Sequence, residues 1–211
     1  MLKINEIYKS IQGESSFTGL PCVFVRLTGC HLRCTWCDTA YAFYEGREMS
    51  ILEIVQEVKS LGISLVELTG GEPLLQAEAV DLVRELLDQN FQVLIETSGA
   101  IDVSILDPRA VKIMDIKCPG SGMSDKMIWD NLKYLGVRDE IKFVIKDRKD
   151  FDWACDVIQN RRLASKVILF SSVFGELNPQ KLSEWILEKN LNVRLQLQVH
   201  KYIWHPETRG V

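Results

Sequence analysis

Six cysteines occur in the 211-residue chain, and three of them, Cys30, Cys34 and Cys37, fall within eight residues as C-x3-C-x2-C. A loop this short can bring three thiolates to one metal centre. A structural zinc site takes four ligands and normally draws on a second Cys or His pair. None is at hand, because Cys118 and Cys155 stand alone and His31 is constrained by its neighbour Cys30. A [4Fe–4S] cluster also takes four cysteines, so three leave one iron open to bind a small molecule. The competing readings are an incomplete zinc site and three fortuitous thiols. Cys22, inside a strand, and Cys155, on an amphipathic helix, read as buried small hydrophobes. Cys118 stays ambiguous beside Lys117.

The other residues with chemical potential cluster where strands end: Thr28-Gly29-Cys30, Thr69-Gly70-Gly71-Glu72-Pro73, Glu96-Thr97-Ser98-Gly99, Asp115-Ile116-Lys117 and His200-Lys201. The runs that precede or surround them alternate between β-rich and helical patterns. Cys22–Leu27, Leu65–Leu68, Val93–Ile95, Val111–Ile116, Ile141–Ile145, Val167–Phe170 and Val193–Val199 read as strands. Ser50-Ile51-Leu52-Glu53 has the form of a capping box, with Ile51, Ile54, Val55, Val58 and Leu61 at helical spacing up to Gly62. Further helices are expected around Val80–Leu87, stopping near Asn90; over Met127–Leu135; from about Asp150; and after Asn178-Pro179, a cap followed by proline at the first helical position.

Strands alternating with helices imply right-handed βαβ units and a mostly parallel sheet. Six or seven strands in this length predict an α/β fold of the incomplete (β/α)6-type parallel barrel kind, as a single domain over residues 1–211. A doubly wound open sheet is the competing architecture. In either, the strand ends share one face, where such folds place their chemistry.

Composition narrows the class. Hydrophobic residues at 46% and charged residues at 26% are ordinary globular values. A net charge of −4 argues against a nucleic-acid-binding domain. No apolar run approaches the roughly 18 residues of a membrane span, and Met1–Glu6 has neither an apolar signal core nor Arg-rich transit character. The expectation is a cytoplasmic protein without membrane or direct nucleic-acid partners, in which clustered cysteines serve metal binding or catalysis rather than disulfides.

Cys30, Cys34 and Cys37 together with Thr69-Gly70-Gly71-Glu72-Pro73 resemble the signature of the radical S-adenosylmethionine superfamily. The segments Ile4–Glu14, Phe17-Thr18-Gly19, Arg26 and Cys37-Asp38-Thr39 are similar, more narrowly, to the 7-carboxy-7-deazaguanine synthase family. The likeness runs from Asn5 to His200-Lys201. It implies a radical lyase of the queuosine pathway that converts 6-carboxy-5,6,7,8-tetrahydropterin to 7-carboxy-7-deazaguanine with loss of ammonia. The implied cofactors are a [4Fe–4S] cluster, S-adenosylmethionine and Mg2+; the implied partners are a flavodoxin or ferredoxin and a second copy of the chain.

By the same resemblance Cys30, Cys34 and Cys37 hold the cluster and Thr39, a hard oxygen donor, holds Mg2+. Trp36, Asp38, Gly71, Glu72, Asp115, Ile116 and Lys117 meet S-adenosylmethionine, the Glu72 carboxylate suiting its ammonium group. Ile11, Gln12, Gly13, Glu14, Arg26 and Thr69 meet the pterin: an amide and backbone groups for its donor–acceptor edge, and Arg26 for its carboxylate.

The chain departs from the family at three places. Asp115-Ile116-Lys117 stands where several relatives have Ser-Pro-Lys, and Ser171-Ser172 stands where some carry Gln-Pro. Some members bring a terminal carboxylate to the substrate soon after His-Lys, whereas ten residues follow Lys201 here. Two rival functions are a glycyl-radical activase, which shares the cysteine spacing and the Gly-Gly-Glu-Pro end but not the Gln12-Gly13-Glu14 opening, and a non-catalytic metal-binding or redox-sensing module.

Overall fold

In the computed structural model, which describes residues 1–211, nine strands form one sheet: β1 (Leu2–Ile11), β2 (Pro21–Leu27), β3 (Arg47–Met49), β4 (Leu65–Gly70), β5 (Gln92–Thr97), β6 (Val111–Ile116), β7 (Glu140–Ile145), β8 (Val167–Ser172) and β9 (Arg194–Gln196). The helices are α1 (Ile51–Ser60), α2 (Ala79–Asp88), α3 (Arg148–Asn160), α4 (Pro179–Glu188) and the single-turn α5 (His200–Ile203). None is long and apolar enough to cross a membrane.

The strand order is β3-β1-β2-β4-β5-β6-β7-β8-β9. From β2 through β9 each neighbouring pair is parallel. A doubly wound sheet must reverse its direction of growth partway across. From β2 onward this sheet adds each parallel strand on the same side, which makes it the open (β/α) barrel with seven parallel strands. The N-terminal hairpin was not anticipated: β1 pairs antiparallel with β2, and β3 covers β1's outer edge.

Two layers of side chains follow from strand alternation. Outward residues of β2, β4 and β5 (Val23, Val25, Val66, Leu68, Val93, Ile95) pack on Ile54, Val58, Leu82 and Leu86 of α1 and α2. Outward residues of β6, β7 and β8 (Ile116, Ile141, Phe143, Phe170) pack on Phe151 and Ala154 of α3 and Leu182 of α4. Inside the barrel Cys22, Phe24, Leu65, Leu94, Val111 and Ile113 form an apolar floor. Above that floor the inward positions turn polar.

No strand closes the gap between the hairpin and β9. Residues 12–20 bridge it instead. Val199 N–H donates to the Gly13 carbonyl at 3.0 Å, Gln196 Nε2 to Thr18 Oγ1 at 3.3 Å, and Ser16 N–H to both Glu140 carboxylate oxygens at 3.1 Å. This bridge also ends β9 early. Expected over Val193–Val199, the strand spans Arg194–Gln196 because the Val199 amide turns to Gly13 and the chain enters α5.

The capping box forms as read: Glu53 N–H donates to Ser50 Oγ at 3.2 Å and Ser50 N–H to Glu53 Oε2 at 2.7 Å. Asn178 caps α4 through Gln180 N–H at 2.9 Å. Helix α3 starts two residues before Asp150 because the Asp147 carboxylate accepts from the amides of Lys149 and Asp150 at 2.9 and 3.1 Å.

The helix expected over Met127–Leu135 does not form. The segment makes 3-10 turns at Ser124–Lys126 and Trp129–Tyr134. Its centre is Asn131, 1% exposed, which donates to the carbonyls of Gly99 and Ile101 at 3.0 and 2.7 Å and accepts from Val103 N–H at 3.1 Å. An asparagine that bonds backbone in this way competes with helix, and here it braces the β5–β6 connection. Asn131→Ala strands these buried groups and is expected to cost about 2–4 kcal/mol, measured by urea denaturation.

Candidate active site

The polar mouth of the barrel opens into a cavity of about 750 Å3. Its walls collect residues from every strand end noted above, together with the cysteine loop and the C-terminal tail.

The loop between β2 and the short 3-10 turn at Ala40–Phe43 carries the three cysteines, all unpaired and half-buried. Leu32, 2% exposed, anchors it in the core beside Ile116 and Cys118. Thr35 fastens its far side, donating from N–H to the Ser121 carbonyl at 3.2 Å and from Oγ1 to the Gly120 carbonyl at 3.0 Å. Cys30, Cys34 and Cys37 all face the cavity. Burial pushes the thiols of Cys30 and Cys34 up, so a bound metal must supply the charge that keeps them as thiolates. The three do not converge on one ion-sized point. A cubane asks for no such convergence, since each thiolate binds its own iron. The donor set therefore suits a cluster with one open corner.

Gly70 and Gly71 let β4's end lie against this loop. Gly70 has φ +150°, and a Cβ there would stand 2.8 Å from the Leu27 backbone nitrogen. A Cβ on Gly71 would stand 2.7 Å from that of Cys30. Gly71 N–H donates to the Leu27 carbonyl at 3.3 Å and Glu72 N–H to the Gly29 carbonyl at 2.8 Å. The expectation for the Glu72 carboxylate is corrected. It is fully buried and does not line the cavity. It accepts instead from Thr97 Oγ1 at 2.9 Å, Ser98 N–H at 2.7 Å, Ser98 Oγ at 2.5 Å and Leu74 N–H at 3.1 Å. Four donors leave it no free lone pair for an ammonium group, and it ties the ends of β4 and β5 together. Ile116 is corrected likewise: its side chain lies in the core, because it alternates outward between cavity-facing Asp115 and Lys117.

The remaining expected residues reach the cavity. Trp36, Asp38 and Thr39 line it beside Cys37, whose Sγ is 3.9 Å from Thr39 Oγ1. Asp38 pairs with Lys201 at 2.6 Å and Asp115 with Lys117 at 2.8 Å. Ile11, Gln12, Gly13, Glu14, Arg26 and Thr69 form the opposite wall. Arg26 is anchored in the wall: its Nε donates to Glu6 Oε1 at 2.8 Å and its Nη2 to Tyr8 Oη at 3.0 Å, leaving Nη1 without a protein acceptor. His200 packs against Gly13, where a Cβ would stand 2.9 Å from the imidazole Cγ, and burial lowers its pKa. Cys118 is buried in the core and is no part of the wall. The ten residues after Lys201 do not lead away: Arg209 stacks 3.9 Å over the Tyr41 ring and bonds Glu45 at 3.1 Å, which brings Val211 to the cavity.

Lys142 was not singled out from the sequence. It is 4% exposed, pairs with Glu14 and, at 2.6 Å, with Glu96, and lies 3.9 Å from Asp115. Burial would strip its proton, but the three carboxylates outweigh that and hold its pKa well above the usual lysine value. Glu67, 3% exposed, was also missed, and it has no cationic partner. Burial, then repulsion from Glu96 and Glu14, raises its pKa well above the carboxylate range. The signal for both is a charged residue at an inward position of an otherwise aliphatic strand, as in Leu65-Val66-Glu67-Leu68 and Ile141-Lys142-Phe143.

Barrel, cysteine triad and glycine-rich strand end define a radical S-adenosylmethionine enzyme, and the family model of the Radical SAM superfamily matches residues 24–116. The chain is 48% identical to the 7-carboxy-7-deazaguanine synthase of Koribacter versatilis, covering 100% of both chains, and 46% identical to that of Chlorobaculum tepidum, covering 100% of this chain and 97% of the relative. In fold it is similar to the crystal structure of QueE from Escherichia coli, with a TM-score of 0.74, 24% identity and 94% of each chain covered. This chain belongs to the 7-carboxy-7-deazaguanine synthase family.

Two outcomes check the site. Gly71→Ala should cut the iron retained after anaerobic reconstitution while the far-UV circular dichroism is kept, because the added methyl pushes Cys30 aside. For Glu67 the folded pKa exceeds the unfolded value of about 4.3, so stability linked to its proton is complete below that value and is lost as pH rises through the folded one. Glu67→Gln does not titrate. Urea denaturation should therefore show the variant gaining on the parent between pH 5 and pH 8.

Proposed function

We propose that the protein converts 6-carboxy-5,6,7,8-tetrahydropterin to 7-carboxy-7-deazaguanine with release of ammonia. The observation that carries this reading is the meeting, in one cavity, of three cavity-facing cysteines with the Gln12-Gly13-Glu14 bridge and Arg26, in a chain 48% identical along its whole length to a relative of that name.

Cys30, Cys34 and Cys37 would hold a [4Fe–4S] cluster, with S-adenosylmethionine at its open iron between Trp36, Asp38, the backbone of Gly71 and the Asp115–Lys117 pair. When bound, this pair of cofactors supplies reductive cleavage to a carbon radical that removes a hydrogen atom from a carbon of the substrate. The protein's own part is to place the substrate. Arg26, held in plane by Glu6 and Tyr8, presents Nη1 to the pterin carboxylate, a charge-assisted contact. Thr39 would offer its hydroxyl to Mg2+, a hard-cation ligand beside the cluster. Thr69 and the backbone of Ile11 and Gly13 would border the ring. The apolar floor and the returning tail keep water away from a reactive intermediate. A flavodoxin or ferredoxin as reductant and a homodimeric assembly belong to the same reading on the family likeness.

The test is anaerobic incubation of the reduced, cluster-loaded protein with S-adenosylmethionine and 6-carboxytetrahydropterin, read by product mass. The expected product is the deazapurine acid. Recovery of unchanged pterin, with a large partner protein acquiring a glycyl radical, would support an activase instead. Cys34→Ala should lose the cluster's visible absorption and all turnover while staying folded. Thr39→Ala should weaken the rate's response to added Mg2+, and an unaltered response would remove Thr39 from the metal site.

A further inference from the structure

Glu67 is an acid inside the barrel with no counter-charge and a single hydrogen bond. Glu140 and Glu72, also without ion pairs, are each satisfied at both carboxylate oxygens by backbone or hydroxyl donors. Glu14, Glu96 and Asp115 surround Lys142, Glu6 pairs with Arg26, and Asp38 pairs with Lys201. Glu67 has none of these. It lies at the base of the cavity, in register with Phe24 on one side and Leu94 on the other, both floor residues. Keeping an unpaired acid there costs stability unless something binds it.

Its single hydrogen-bond partner is Gln12, whose Nε2 donates to Glu67 Oε2. Gln12 is itself fixed, because its Oε1 accepts from Glu14 N–H at 2.9 Å. The amide therefore cannot flip, and Glu67 Oε2 is committed as an acceptor. With the carboxyl neutral, as burial and the neighbouring Glu96 and Glu14 dictate, the proton resides on Oε1. That oxygen has no protein partner, on a residue that lines the cavity. The chain of bonds Glu14 N–H to Gln12 to Glu67 thus ends in one donor and one acceptor of fixed order.

An edge that complements this order has a ring nitrogen acceptor beside an exocyclic amino donor. A pterin presents that edge at N1 and the 2-amino group. We propose that Glu67, oriented by Gln12, is the specificity-determining residue that reads the 2-aminopyrimidine edge of the substrate and so seats that ring at the cavity floor. This rests on the reading of the protein as a pterin-acid enzyme. Glu67 touches the substrate's recognition edge and takes no part in bond making.

The experiment compares two fluorescent probes on the anaerobically reconstituted protein with S-adenosylmethionine present: 6-carboxypterin, and 6-carboxylumazine, in which an oxo group replaces the 2-amino group and reverses the donor–acceptor order. The parent protein should bind the pterin about tenfold or more tightly, the size expected when a buried polar site is mismatched. Glu67→Leu should lose that preference. Glu67→Gln keeps an acceptor for Gln12 and an outward donor, so it should retain the preference. Equal binding of both probes by the parent, preference kept by Glu67→Leu, or preference lost in a folded Glu67→Gln would each overturn the assignment. Pterin preference without any deazapurine product would instead sink the enzymatic reading and leave the recognition by Glu67 standing.

Discussion

A single ammonium group organises the inside of this barrel. Lys142 stands on β7 with almost no exposure, and a charge so placed survives only among opposite charges. Its carboxylates come from three separate segments: Glu14 from the bridge, Glu96 from β5 and Asp115 from β6. The need to neutralise one lysine therefore draws residues 12–20 across the open side of the barrel and sets the height at which β5 and β6 present their polar ends. Gln12 and Gly13 occupy the cavity wall because Glu14, next to them, is held by Lys142 and by Gln198.

A second organising acid works from outside the cavity. Glu72 is buried behind the glycine pair and gathers four donors from residues 74, 97 and 98. This fixes the spacing of the β4 and β5 ends against which the cysteine loop rests. The Gly-Gly-Glu run thus combines two physical tasks. The glycines remove side chains where Cys30 and the β2 end must approach, and the glutamate cross-links what the missing side chains leave unsupported.

The sequence disclosed much of this plan. The cysteine spacing, the Gly-Gly-Glu-Pro end, the Ser50–Glu53 box and the Asn178-Pro179 cap are local codes, each needing only a few neighbouring residues to be read. The misreadings share one cause, which is partnership over long chain separations. Asn131 left a helix-like pattern unhelical because its amide belongs to residues 99–103. Glu72 resembled a cofactor ligand until Thr97 and Ser98 arrived beside it.

By itself the amino-acid order determined the alternation of strands and helices, the mostly parallel α/β sheet and the spacing of the three cysteines, because periodicity and spacing act over a few residues. Only the tertiary structure decided the direction in which the sheet grows, the bridging of its gap by residues 12–20 and which buried acids, such as Glu14, are ion-paired and which, such as Glu67, are not. Those outcomes depend on electrostatic and hydrogen-bond partners up to 184 positions apart, as Glu14 and Gln198 are. Such pairs meet only when the barrel curls.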